Sequence, residues 1–354
     1  MSAPHSRDWK GPALALAAAA LFGASTPLSK MLLRKLSPQW LAGLLYLGSG
    51  TGLALWMLLR RIAAPHAPRE ASLQHADMPW LGGAILAGGI LAPVCLAWGL
   101  RGTAATSASL LLNLEGVFTA LLAWFVFREN FDRRIFVGML AIVAGGLLLS
   151  WEGRAGGVSW AAIGIAAACF GWAIDNNLTR KVSAADPVQI AMLKGLVAGG
   201  INVTLAATLT PPPGWSAIGA TAVLGFLSYG ASLTLFVLAL RHLGTARTGA
   251  YFSTAPFVGA ALSLALLAER PERWFWAAAA CMAVGVWLPL TERHSHEHTH
   301  EPLEHDHLHV HDEHHQHEHT ADDPPGEPHS HPHRHAPLTH THPHVPDIHH
   351  RHHH

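Results

Sequence analysis

The sequence predicts an all-α polytopic membrane protein with ten transmembrane helices arranged as two inverted five-helix repeats. Three observations predict it. Upstream of residue 292 the chain is a train of apolar runs of about 20 residues, the length that crosses a hydrocarbon core of about 30 Å. One of these runs is duplicated late in the chain. Lys and Arg also gather at alternate ends of the runs, as loops on one side of a membrane require.

The duplicated segment is RGTAATSASLLLNLEGVFTALLAWFVFRE at 101–129, which returns in diluted form as RHLGTARTGAYFSTAPFVGAALSLALLAE at 241–269. Laid over each other without a gap, Arg101 meets Arg241, Ala120 meets Ala260, Leu122 meets Leu262 and Glu129 meets Glu269. Gly116 falls opposite Pro256. Each copy is a small-residue lead-in, an apolar run with one breaker inside it and a terminal acid, the layout of a transmembrane helix with an internal irregularity. Upstream, Phe22 and Gly23 are echoed by Phe170 and Gly171, and Pro38 and Ala42 by Pro187 and Ala191. The echoes keep their order, so the duplication covers roughly 12–150 and 160–290.

Of the 354 residues 50% are hydrophobic and 13% charged, but a polar tail holds most of the 28 histidines, so the two parts are read separately. The chain divides into a first repeat at 1–151, a second at 152–292 and a tail at 293–354. Cys95, Cys169 and Cys281 all fall inside apolar runs without a CxxC pair, which predicts free thiols and no disulfide framework. The alanine-rich first run follows Arg7 and Lys10 as a signal peptide would, yet its echo in the second half predicts that it stays as a helix.

In order, the spans fall at about 12–33, 38–59, 78–100, 103–127, 133–150, 160–179, 187–209, 216–240, 244–267 and 274–290. Gly48, Gly52, Gly195 and Gly199 have helix-packing spacing, and in lipid such small residues let helix backbones approach. Trp9, Trp40, Trp80, Trp160, Trp215, Trp274 and Trp276 lie near span ends and read as interfacial anchors. With the N-terminus cytoplasmic, the inside receives Arg60, Arg61, Arg128, Arg133, Arg134, Arg180 and Lys181 among others, while the outside keeps Lys30, Arg34, Lys35, Arg101, Arg154, Arg270 and Arg273. Both termini are therefore expected inside. An odd number of spans per repeat makes the halves inverted.

Ionisable groups inside apolar runs each cost on the order of 3 kcal/mol or more in lipid, so they must face a cavity or a partner. Glu115, Asp175 and Lys194 are of this kind, with Lys30 nearer a boundary. Glu115 stands beside Asn113 and directly before Gly116, where the helix is expected to loosen. Asp175 heads a polar cluster with Asn176 and Asn177, one turn after Trp172. Lys194 is placed to pair with Asp175 or Glu115 across the repeat interface. Two readings stand: a structural ion pair, or groups that handle substrate or protons. For Lys30 the alternatives are snorkelling to the interface and a role in the site. Ser25, Thr26 and Pro27 occupy in the first span the place of the Asp175 cluster in the sixth, and Pro27 frees a backbone carbonyl there. The expected solute-binding set is Ser25, Thr26, Lys30, Glu115, Trp172, Asp175, Asn176 and Lys194.

The tail alternates His with Glu, Asp, Pro and Thr, has no apolar periodicity and is expected to be disordered. Its candidate metal ligands are His294, His296, His298, His300, His305, His307, His309, His311, His314, His315, His317 and His319, followed by a second group from His329 to His354. Imidazoles with carboxylates and no thiols suit Zn, Ni, Co or Cu(II), and the alternative is a pH-responsive polyelectrolyte. His296, Glu297 and His300 match HExxH, but that pattern carries chemistry only on a helix and is a chance match in low-complexity sequence. There is no GxSxG elbow and no phosphate loop, so no enzyme is expected.

The stretch LLLNLEGVFTALLAWFVFREN at 110–130 resembles the signature of EamA-like proteins of the drug/metabolite transporter superfamily. The resemblance covers both halves; it departs at Gly116, where proline is common, and at Arg128, where glycine is common, while Pro256 fits. It implies a ten-helix carrier of small metabolites in a bacterial inner (plasma) membrane, with no cofactor required. The leading expectation is a secondary transporter that exports a small polar metabolite. A divalent metal permease with a loading or sensing tail, or a membrane-tethered metal buffer, are the alternatives. Partners are then a small-molecule solute, lipid and a divalent metal, not nucleic acid; solute, coupling ion and oligomeric state are open.

Overall fold

The computed structural model describes residues 9–64, 71–127, 133–151, 158–182, 185–243 and 245–290, with the backbone of four tail segments. Upstream of the tail the regular elements are helical. The first half comprises α1 (Lys10–Leu32), α2 (Pro38–Ala63), α3 (Met78–Ala84), a π-helical segment (Ile85–Leu91), α4 (Ala92–Gly102), α5 (Ala105–Leu111), α6 (Leu114–Phe127) and α7 (Arg133–Ser150). The second repeats that order as α8 (Trp160–Lys181), α9 (Pro187–Leu209), α10 (Trp215–Gly225), a second π-helical segment (Phe226–Ala231), α11 (Ser232–Leu243), α12 (Thr245–Phe252), α13 (Ala255–Leu267) and α14 (Arg273–Leu290). The third span of each half thus carries a π segment and the fourth a break. The duplication extends to the irregularities.

The echoed prolines are helix starts. Ser37 accepts a hydrogen bond from the Trp40 amide, and Asp186 accepts from Val188 and Gln189, each with proline in the first helical turn, where no N–H is needed. The breaks fall a few residues upstream of the expected Gly116 and Pro256. Proline fits the first turn of α13, so the interruption precedes it. Polar side chains add a second donor to carbonyls at the breaks: Asn113 Nδ2 donates to Leu110 O at 2.8 Å, and Thr254 Oγ1 to Tyr251 O at 2.6 Å.

Among the described residues, 8 helices are long and apolar enough to cross a membrane, and the shorter apolar Arg273–Leu288 accompanies them. The remaining expected span is α8, whose 22 residues suffice in length but include Asp175, Asn176, Asn177, Arg180 and Lys181. The helix that departs from lipid-compatible composition is the one with the most polar chemistry.

Packing follows the pseudo-symmetry. Counterparts α2 and α9 pair, as do α7 and α14; α1 packs on α11 and α13 as α8 packs on α4 and α6. Gly195 and Gly199 bring the α9 backbone onto α2: a Cβ at Gly195 would lie 2.6 Å from Gly50 N, and one at Gly199 would collide with Leu47 N. Cys95, Cys169 and Cys281 are free. Trp9, Trp160 and Trp215 are exposed, as interfacial anchors should be, whereas Trp40 is 7% exposed and belongs to the core, because the cap at Ser37 turns α2 inward at its first residues.

In the tail, β1 (His294–His300) pairs antiparallel with β4 (Leu338–His344), and β2 (Glu304–His309) with β3 (His329–Arg334). The strict alternation HSHEHTH has the two-residue period of a strand. Neither ribbon has an apolar face in its sequence, and isolated two-stranded pairs are marginal in water.

Candidate functional site

The site begins with a helix defect. A π turn bonds i to i+5, so it withdraws one backbone carbonyl from the regular ladder. In the segment Ile85–Leu91 the Gly88 carbonyl accepts from Tyr46 Oη at 2.7 Å and from Trp172 Nε1 at 3.0 Å. Asn202 Nδ2 donates to Gly89 O and Ile90 O, both at 3.3 Å. Donors from α2, α8 and α9 therefore converge on carbonyls of the third span.

Asp175 packs against the same glycine: a Cβ at Gly88 would collide with its carboxylate. Lys194 Nζ lies 2.5 Å from Asp175 Oδ1 and 2.7 Å from Oδ2, and Thr179 Oγ1 donates to Oδ1 at 2.8 Å. The Asp175 side chain is 6% exposed and that of Lys194 17%, so the charges are largely withdrawn from solvent. The pair does not cross the repeat interface. Asp175 lies about two turns before the end of α8 and Lys194 about two turns into α9, which places them side by side on consecutive helices of the second half.

The next residue on α8 faces away from that pair. Asn176 Nδ2 donates to Glu115 Oε1 at 2.8 Å and lies 3.4 Å from Thr119 Oγ1, while Asn177 Nδ2 donates to Thr119 O at 3.3 Å. Here a cavity of about 400 Å³ opens between α6 and α8, lined by Glu115, Gly116, Thr119, Ala120, Ala123, Asn176, Asn177 and Arg180. A carboxylate, two amides, a hydroxyl and a guanidinium face small apolar side chains, a mixture that holds a polar molecule by a few directed bonds.

Ser25 and Thr26 are buried in α1, 4% and 2% exposed. Ser25 is in hydrogen-bonding reach of Tyr229, whose ring lies 5.6 Å from Tyr46 and 5.7 Å from Phe22. Through Tyr229 and Tyr46 the first span touches the Trp172 cluster. Lys30 does not join it. Its Nζ donates to Leu100 O, to Thr103 O at 2.8 Å and to Arg101 O at 3.4 Å, closing the end of α4.

The expected set thus divides into an ion-pair cluster with Trp172, Asp175 and Lys194, a cavity edge with Glu115 and Asn176, the Ser25–Thr26 turn, and Lys30 at a distant end. The two helix pairs of the fold that repeat each other, α1–α13 and α8–α6, are not packed alike. Between α1 and α13, a Cβ at Gly23 would collide with Ala255 O, and one at Gly259 would lie 2.8 Å from Gly23 O. Between their counterparts α8 and α6 lies the cavity.

A family model for the EamA-like transporter family matches residues 9–151 and again 159–291, one match per half. The chain belongs to the EamA-like transporter family. It is 28% identical over 278 residues to an uncharacterized transporter of Methanothermobacter thermautotrophicus, covering 72% of this chain and 78% of that one. A crystal structure of a protein 18% identical in sequence shares the fold, with a TM-score of 0.55 over 79% of this EamA-like chain and 96% of the other. The protein is a multi-pass membrane transporter.

Tyr46, Gly88, Thr119, Thr179, Arg180 and Asn202 complete the sites and escape the sequence reading. Asn202 carried a signal, since an amide inside an apolar run needs a partner. The doublet Gly88–Gly89 carried a fainter one, since the same run also holds Gly82–Gly83 and Pro93. Of the tail residues, His311, His314, His315, His317 and His319 lie outside the described residues, and His294, His296, His298, His300, His305, His307 and His309 are described as backbone only.

Proposed function

We propose that this EamA-like protein is a secondary carrier that exports a small polar metabolite by alternating access, with the solute held between α6 and α8. The observation that supports this reading is the unequal packing of equivalent helix pairs, sealed at α1–α13 and open at α6–α8. In an inverted repeat, exchanging the two packings moves the opening to the other face. Glu115, Asn176 and Thr119 supply the directed bonds. The Asp175–Lys194 pair is the buried charge that a solute or proton entering at Asn176 would perturb.

The Lys and Arg distribution supports a plasma-membrane carrier with both termini cytoplasmic. On that orientation the cavity faces the cytoplasm, because Arg180 is one residue from the end of α8. The tail is proposed as an accessory that binds divalent Zn, Ni, Co or Cu. Among the described residues no group of three or more metal-donor side chains gathers, so a metal permease would rest on the tail alone.

The test is metabolite profiling of medium and cells expressing the full chain, Glu115→Gln or no protein. A solute exported by the full chain and retained with Glu115→Gln supports the reading. Equal export by both removes the cavity from transport.

A further inference from the structure

At one end of the bundle, four chain segments are tied by two charged side chains. Glu269 follows α13 and reaches back to the first turn of α5: Ala105 N donates to Oε1 and Thr106 N to Oε2, both at 2.9 Å. A carboxylate there meets amides that have no partner within the helix and the positive end of its dipole. Ala268 makes the reach possible by adopting φ 51°, ψ 32°, a left-handed conformation that alanine does not favour. Beside it, Lys30 from the end of α1 holds the final carbonyls of α4, and the Glu269 charge attracts it.

This end lies away from the cavity. The start of α8 packs on the end of α4, with Gly99 and Gly102 against Ala161, so Arg180 and the cavity sit toward the opposite end of α8. Glu115 is likewise ten residues beyond Ala105 along the fourth span, about 15 Å at helical rise.

We infer that Glu269 on the first turn of α5, with Lys30 on the end of α4, is a latch that keeps the face opposite the cavity shut and releases when the carrier turns over. The inference rests on the carrier reading. Beneath the latch, α1, α5 and α13 meet through Gly23, Gly259 and Ser109, with a Cβ at Gly259 reaching to 2.9 Å of Ser109 Oγ. At that level the seam is made by small residues. The buried Ser109 hydroxyl has no hydrogen-bond partner among the described residues, so parting the seam would hydrate it. Left-handed Ala268 is strained in the latched state as well. Two local features therefore favour release, and the polar ties of Glu269 and Lys30 oppose it.

The test places single reporter cysteines in the full chain, in detergent, after Cys95, Cys169 and Cys281 are replaced by serine. Thr106→Cys reports the latched end, where Thr106 is 1% exposed, and Asn176→Cys reports the cavity. A polar maleimide is the probe. With Glu269→Gln, labelling at the Thr106 reporter rises at least tenfold and labelling at the Asn176 reporter falls. Lys30→Met shifts both in the same directions and serves where Glu269→Gln does not fold. Unchanged rates overturn the latch, and a rise at both reporters overturns it too, because that is general loosening. Labelling needs no solute, so the two failures are told apart: absent export with this response counts against the exporter reading, and intact export without it counts against the latch.

Discussion

Gly88 and Asp175 occupy adjoining space so closely that a Cβ on one would collide with the carboxylate of the other. The Asp175–Lys194 pair is therefore positioned by an absence of side chain on the third span as much as by any bond. Gly88→Ala should push the carboxylate off Lys194 and Thr179. Overpacking of this kind costs about 1–3 kcal/mol. The expected outcome is a lower thermal midpoint in detergent and at least tenfold slower export. A midpoint equal to that of the unaltered chain would mean that the π segment absorbs the methyl group.

Splitting the pair should be worse than deleting it. Removing one partner of a buried ion pair strands the other, at about 3–5 kcal/mol, whereas replacing both with neutral groups is close to neutral. Asp175→Asn and Lys194→Met should each destabilise strongly, and the double variant should recover most of the loss. A double-mutant cycle by thermal unfolding reads the coupling. Additive losses would show that the 2.5 Å contact carries no stability.

The fold was legible because lipid permits few solutions: apolar runs of span length, a repeated run and alternating basic loops leave little but an inverted helix bundle. Glu115, Asp175 and Lys194 were legible for the same reason, as charges where charges are costly. What stayed hidden depends on backbone bonding and not on composition. The π segment at Gly88 looks like any glycine-containing apolar run, and its carbonyl explains Tyr46, Trp172 and Asn202 only once the helices are assembled. Lys30 was misleading, since a cation near a span end reads alike whether it snorkels or closes a neighbouring helix.

At the cavity edge, function and stability should separate. Glu115 is partly exposed and Asn176 exposed, so Glu115→Gln removes the charge and Asn176→Ala the directed bond without opening a core. Stability should change by no more than about 0.5 kcal/mol, the usual range for such positions. Export should fall at least tenfold in both. Loss of export together with loss of folded protein would instead assign the pair to helix packing.

The Gly88 carbonyl has two donors, which predicts a specific non-additivity. Tyr46→Phe leaves Trp172 in place and Trp172→Phe leaves Tyr46, so each should cost about 0.5–1.5 kcal/mol, the net worth of one hydrogen bond. The double variant strands a buried carbonyl and should cost more than the sum of the two. Thermal unfolding of the four chains checks it, and strict additivity would mean that water reaches the π turn.

Removing residues 294–354 separates the tail from the carrier. Among the described residues the tail strands pair with one another, β1 with β4 and β2 with β3, so the bundle should unfold at the same temperature as the full chain. Because the proposed solute path runs between α6 and α8, export of an organic solute should also be unchanged, while equilibrium binding of Zn or Ni should drop to the level of the bare bundle. If export instead falls with the tail and is restored by raising external metal, the histidines load the transport path, and the metal permease displaces the metabolite carrier.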